Sequence, residues 1–233
     1  MSLTRMMIDA VSAITKMFVL SSQDVAQTNN IGAAMTQGRV YVGAGGMQVC
    51  PYAAAPADGE TFASLQAAEV AKLAKDDSTA MAANIPLYVD FANNEFTAKP
   101  ALVLPESATF NFATTGKTLV FSINGGAADT CTVETGDVVS LAAVTAAELV
   151  ALLNTDIAGV VASSITGADG ETYVVVTADA AGGSIALTAG TGLAVIGAYI
   201  GMQAVPCAKT LEAATAEDTT VKASYDARGM VAN

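Results

Sequence analysis

The stretch from Thr118 to Val133 constrains the fold more than any other part of the chain. Leu119, Phe121 and Ile123 alternate with Thr118, Val120 and Ser122, the period of a strand with one buried face. The run ends on Asn124-Gly125-Gly126, residues that accept positive φ at little cost and so mark a tight turn. Thr130-Cys131-Thr132-Val133 then reads as the returning strand of a hairpin. Upstream, Phe110 and Phe112 share one face of a further strand, and Gly116 turns the chain into the hairpin.

Thr145-Ala146-Ala147-Glu148 has the form of a capping box, in which the Thr hydroxyl takes a free amide and the Glu reaches back to the Thr amide. Leu149, Leu152 and Leu153 follow on one helical face, and the helix is expected to end at Asn154 after two to three turns. Strands are expected over residues 160–166, 172–178 and 184–188, joined by turns at Gly167-Ala168-Asp169-Gly170 and at Gly182-Gly183. The fold class that follows is α+β and mainly β. It is an antiparallel sheet module with one short packed helix, preceded by a mixed N-terminal region.

That N-terminal region carries several signals. Met6, Met7, Ala10, Val11, Ile14, Met17 and Phe18 recur at helical spacing, as an amphipathic helix or docking arm would. Val40-Tyr41-Val42 and Met47-Gln48-Val49 flank Gly43-Ala44-Gly45-Gly46 as the strands of a hairpin. Residues 62–75 read as a helix with a stripe of Leu65, Ala68, Glu69, Lys72 and Leu73, and residues 86–91 as a strand that turns at Asn93-Asn94 into Glu95-Phe96-Thr97. Pro100 and Pro105 bracket a connector. The expected division is residues 1–105 as a mixed α/β region that attaches to a larger assembly, 106–200 as the β-rich module, and 201–233 as a C-terminal extension.

The run Thr118-Leu119-Val120-Phe121-Ser122-Ile123-Asn124-Gly125-Gly126, then Thr145-Ala146-Ala147-Glu148-Leu149 with Asn154, resembles a module recurrent in bacteriophage virion structural proteins. In that module a hairpin is followed by a short helix and then by strands carrying a G-x-x-A-S element. Gly159-Val160-Val161-Ala162-Ser163 stands in that place, and Ser184-Ile185-Ala186-Leu187-Thr188 resembles the later strand. The resemblance covers about residues 109–200. It implies a displayed structural role in head-decoration, tail or fibre proteins, with no catalytic residues to carry over.

Composition narrows the function classes. The hydrophobic fraction is 52% but aromatics are 6% and Trp is absent, so small side chains carry much of the apolar count. Each buries little area, and contact with neighbouring subunits is expected to add stability that the isolated core lacks. A formal net charge of −12 makes nucleic acid a poor partner, because phosphate binding works through Lys and Arg. It disfavours an anionic membrane surface for the same reason. The uncharged stretch 180–208 is interrupted by six glycines, Gly182, Gly183, Gly190, Gly192, Gly197 and Gly201, so two strands around a Gly-rich turn are expected there in preference to a membrane span. Arg5, Asp9 and Lys16 break up the N-terminal apolar residues, and no signal peptide is expected.

The candidate chemistry is sparse. There is no His, which removes Ser-His-Asp and Cys-His catalysis and the common His-containing metal sites. Cys50, Cys131 and Cys207 are widely spaced and odd in number, and are expected as buried free thiols. Gly43-Ala44-Gly45-Gly46 lacks the Lys of a phosphate loop. Asp76-Asp77, Asp169 with Glu171, and Glu217-Asp218 are the paired acids, expected as turn residues rather than Ca²⁺ ligands. The expectation is therefore a non-enzyme with no catalytic, cofactor-binding or metal residues and no cofactor.

The leading function is a capsid decoration or cement protein that stabilises the head by bridging capsid subunits. Its expected partners are the major capsid protein or other virion proteins and further copies of itself as a homo-oligomer, with neither nucleic acid nor membrane. Its expected location is the virion, after assembly in the host cytoplasm. A tail, baseplate or fibre component is the alternative, and a cell-surface adhesin or glycan-binding module the second.

Overall fold

The structure is a computed structural model that describes residues 25–43, 48–51, 56–64, 67–76, 78–104, 107, 109–196 and 206–226. The N-terminal Met and Phe stripe and the turn 44–46 lie outside them. In chain order the strands are β1 (Val25–Thr28), β2 (Tyr41–Val42), β3 (Gln48–Val49), β4 (Thr61–Ser64), β5 (Ala67–Ala74), β6 (Pro86–Asp90), β7 (Glu95–Thr97), β8 (Ala101–Val103) and β9 (Thr109–Phe110). There follow β10 (Lys117–Ile123), β11 (Ala128–Val133), β12 (Val144–Thr145), helix α1 (Ala146–Asp156), β13 (Val160–Thr166), β14 (Thr172–Ala178) and β15 (Ile185–Ala189). The one-turn helix α2 (Leu193–Ile196), β16 (Ala208–Thr210) and β17 (Thr220–Asp226) complete the order. The protein is α+β and mainly β, as expected, and the strand pairs β1-β4, β5-β17, β16-β17, β6-β16, β6-β7, β10-β11, β10-β15, β9-β12, β13-β14 and β8-β14 are all antiparallel.

The described residues of 25–41, 48–98 and 206–226 cluster as one compact unit, and those of 42–43 and 99–196 as a second. This differs from three consecutive segments divided at 105 and 200. The strand Ala101–Val103 pairs with Val175–Thr177, so the change of unit precedes Pro100. The last segment is no extension, because β16 and β17 are the inner strands of a five-stranded sheet in the order β5-β17-β16-β6-β7.

That sheet closes on itself. Lys75, just past β5, forms a parallel bridge with Phe96 of β7, and the Asp76 amide donates to the Phe96 carbonyl at 3.0 Å. Closure removes the open edges that a sheet otherwise exposes. Leu73, Leu87, Val89, Phe96, Val221, Ala223 and Tyr225 are buried, and Phe96 meets Tyr225 edge to face at 5.7 Å.

The helix expected over 62–75 is not formed; strands β4 and β5 occupy that stretch. Its Ala, Leu, Glu and Lys favour a helix locally, but burial has period two at its end. Lys72 is exposed while Leu73 and Lys75 are buried. Pairing with β17, in register from Ala74↔Thr220 to Ala67↔Asp226 across one bulge, outweighs the local preference.

In the second unit the strands divide between two three-stranded sheets, β11-β10-β15 and β13-β14-β8, and the pair β12-β9. One core serves them all, with Phe112, Leu119, Phe121, Val133, Leu149, Leu153, Val174, Val176, Ile185 and Leu187 among its members. The capping box forms. Glu148 N–H donates to Thr145 Oγ1 at 3.2 Å and Thr145 N–H donates to Glu148 Oε2 at 2.8 Å, so the helix start is fixed by its own residues. Leu149 and Leu153 are fully buried, which anchors α1 on the core.

The hairpin turn has the expected chemistry, with Asn124 at φ 54 and Gly125 at φ 66. After β15 the chain departs from expectation. It makes the one-turn helix Leu193–Ile196, and the rest of the stretch expected to hold a second strand, 197–205, lies outside the described residues. Gly190 sits at φ 126 with its Cα so close to the Thr118 carbonyl that an added Cβ would lie 2.2 Å from that oxygen. Thr118 and Thr191 then exchange amide-to-hydroxyl bonds at 3.1 Å in both directions. This redirects the chain across the end of β10.

Helix α1 does not stop at Asn154 but runs to Asp156, and Asn154 has another task. Its Nδ2 donates to the Ala162 carbonyl at 3.0 Å, and its Oδ1 accepts from the Ala162 amide at 2.7 Å. The carboxamide thus copies the pairing of a neighbouring strand along the outer edge of β13. Asn154→Ala leaves both Ala162 groups without these partners and is expected to destabilise the second unit by about 1–2 kcal/mol, read by chemical denaturation.

Candidate functional site

In each expected acid pair a described Asp bonds groups of its own turn. Asp76 Oδ1 accepts from the Ser78 amide at 2.8 Å and from its hydroxyl at 2.5 Å, while Asp77 lies outside the described residues. Asp169 Oδ1 accepts from Glu171 N–H at 3.1 Å, and its Oδ2 accepts from the Tyr173 hydroxyl at 2.6 Å. Asp218 Oδ2 accepts from the Thr215 amide at 2.7 Å and hydroxyl at 3.0 Å, and these bonds hold its carboxyl below its usual range. Among the described residues no three metal-ligating side chains come together.

Cys50, Cys131 and Cys207 are all buried. Burial, reinforced by Cys207, pushes the Cys50 thiol up to about 12. Burial and then the Asp156 carboxylate push Cys131 to about 12. Thiols so held remain protonated and unreactive near neutrality. The described end of the expected Gly-rich turn, Gly43, serves as an acceptor, its carbonyl lying 3.2 Å from the buried Tyr173 hydroxyl.

A different surface feature stands out. On the outer face of the β11-β10-β15 sheet, Thr118, Val120 and Ser122 lie beside Thr130 and Thr132 on one side and Ala186 on the other. All are half-buried or exposed, and none is charged. A sheet face built from small, uncharged side chains presents little desolvation cost to a partner, and it belongs to a chain with a formal net charge of −12. Sequence alternation placed these residues outward, but not their alignment across three strands, because β15 reaches β10 from beyond strands β11 to β14 and the intervening helix.

Two edge strands of this unit, β11 and β13, carry side-chain caps. On β11 the Thr132 amide donates to Asp156 Oδ2 at 3.1 Å and the Thr130 amide to Asp129 Oδ1 at 3.1 Å. Asn154 occupies Ala162 on β13. Strand addition, a natural mode for an exposed sheet, is therefore obstructed along β11 and in the middle of β13.

Beside the sheet, the loop before α1 carries Val139, 97% exposed. Its amide donates to Glu148 Oε1 at 2.7 Å. The bonds from Val139 and Thr145 lower the Glu148 carboxyl below its ordinary value. The stabilisation is full above the ordinary carboxylate value and is lost as the pH falls through the lowered one. Glu148→Gln is therefore expected to be less stable than the parent near neutrality, with the difference vanishing in strong acid, as paired denaturation curves would show.

No family model, curated protein or solved structure matches the chain.

Proposed function

We propose that this chain is a non-enzymatic structural protein of a bacteriophage virion, a decoration or cement protein that stabilises the head by bridging capsid subunits. The observation that carries the reading is the uncharged outer face of the β11-β10-β15 sheet, built from Thr118, Val120, Ser122, Thr130, Thr132 and Ala186. It lies within the segment whose residues resemble the virion module. The buried core beneath it and the side-chain caps on β11 and β13 hold this face in one shape, which favours contact by packing over strand exchange.

The mechanism is multivalent. Each copy makes a modest contact, and repetition around a lattice raises the effective affinity without any new bond. Acidic charge elsewhere keeps free copies soluble and apart before assembly.

The test is to place carboxylates on the face with the pair Thr130→Glu and Ala186→Glu, then measure occupancy on particles. Burying an unpaired carboxylate costs several kcal/mol, so occupancy of particles at limiting protein is expected to fall by more than about tenfold. Unchanged occupancy by a folded variant would remove this face from the contact.

A further inference from the structure

We propose that Asn124 is a site of spontaneous covalent modification, converting to aspartate and isoaspartate through a cyclic imide, and that the 182–184 loop gates the conversion. Asn124-Gly125 is the one Asn-Gly step in the chain, and it sits in an exposed turn. Gly125 has no side chain to hinder approach of its nitrogen to the Asn124 carboxamide. Gly126 N–H closes the turn on the Ile123 carbonyl at 2.9 Å, leaving the Gly125 amide outside that bond. The side chain borders a shallow surface depression of about 430 Å³ shared with Ala180–Ser184, so water reaches it and ammonia can leave.

The chemistry needs only water and hydroxide. Hydroxide removes the Gly125 amide proton, and the nitrogen attacks Asn124 Cγ, forming the N–Cγ bond. The Cγ–Nδ2 bond then breaks, and Nδ2 departs as ammonia after taking a proton from water, which restores the hydroxide. Water opens the imide at either carbonyl. One opening leaves aspartate, and the other leaves isoaspartate, with an extra methylene in the main chain.

The gate is a latch between Asn124 and the loop. The Asn124 amide donates to the Ser184 carbonyl at 2.7 Å, and Asn124 Oδ1 accepts from the Ser184 amide at 3.0 Å. The carboxamide lies directly over Gly183, where an added Cβ would fall 1.8 Å from Oδ1 and 2.8 Å from Cγ. The side chain is thus held against the loop, and reaction runs through opening of the latch. Isoaspartate at this position lengthens the turn between β10 and β11 and breaks the latch, loosening the end of the sheet nearest the depression.

The experiment incubates the full chain under mildly alkaline conditions and follows every asparagine by peptide mass spectrometry with isoaspartate detection. Native and urea-unfolded samples are compared with the variant Gly183→Ala, whose methyl displaces the carboxamide. Asn124 is expected to be the first asparagine converted in the native chain, in proportion to hydroxide. It is expected to convert about tenfold or more slowly than in urea, as two hydrogen bonds to one residue imply. Gly183→Ala is expected to raise the native rate several-fold. Earlier conversion of another asparagine, or an intact Asn124, would overturn the site. A native rate equal to or above that in urea would overturn the gate, as would no acceleration in a folded Gly183→Ala.

Discussion

A chain ending at Val205 is expected to lose the first unit altogether while keeping the second. The truncation removes β16 and β17, which lie between β5 and β6 in the five-stranded sheet. It strips both partners from the middle of a closed sheet, and with them the buried side chains of Cys207, Ala208, Val221, Ala223 and Tyr225. Leu73, Leu87 and Phe96, buried in the same unit, would face water. Burying each large side chain contributes about 1.5–3 kcal/mol, and domains are stable by only about 5–15 kcal/mol, so no partial unit is expected to survive. The second unit has its own core and needs none of these residues. A fragment of residues 99–205 is expected to melt cooperatively, whereas one starting at 106 lacks the β8 partner of Val175–Thr177 and is expected to be weaker. Calorimetry of the three chains checks this. A truncated chain that keeps both transitions would contradict the sheet order.

The second large effect is expected at Lys75, which is 1% exposed. Its Nζ donates to the carbonyl of Asp76 at 2.6 Å and to that of Asp218, 143 residues away, at 3.1 Å. Its own amide donates to Thr219 at 3.0 Å. The ammonium therefore ties the approach to β17 to the place where β5 meets β7, and its burial is compensated by carbonyl oxygens. Lys75→Met keeps most of the volume but leaves two carbonyls without the donor. It is expected to lower the stability of the first unit by about 2–4 kcal/mol, since bonds to a charged group contribute about 1.5–3 kcal/mol each and do not simply add. Lys72, three residues earlier and exposed, provides the contrast, and Lys72→Met should change stability by less than about 0.5 kcal/mol. Equal effects at the two positions in denaturation experiments would remove Lys75 from the closure.

The second unit was largely legible because its signals are local. Thr145 and Glu148 announce their own helix start, Asn124-Gly125 announces its turn, and Leu119 and Phe121 announce an inward row. Each needs only neighbours a few residues away. The first unit was less legible because its decisive contacts are remote. Residues 67–75 carry helix-forming side chains, and only the pairing with Thr220–Asp226 makes them a strand. Val221, Ala223 and Tyr225 do alternate with Lys222 and Ser224, a period-two pattern that signals a strand but not its partner. Nothing near Lys75 in the sequence indicates that its ammonium meets the carbonyl of Asp218. The uncharged outer face had the same status: its residues could be assigned outward from alternation, while their alignment depends on the register of β10 with β11 and β15.

The same distinction bears on assembly. Side-chain caps on Thr130, Thr132 and Ala162 come from Asp129, Asp156 and Asn154, which the sequence presents as ordinary polar residues at a strand and a helix end. Their effect is to close strand edges that would otherwise invite uncontrolled pairing. In the proposed role, where each copy would meet the same partner in one geometry, capped edges and an uncharged face would be an advantage.

The most direct measurement is the amount and position of this chain on purified phage particles, counted by quantitative mass spectrometry and located by labelled electron microscopy. The proposed role predicts many copies per particle, distributed over the head. A small number confined to the tail would contradict head decoration in favour of a tail, baseplate or fibre role, and absence from particles would contradict the virion role itself.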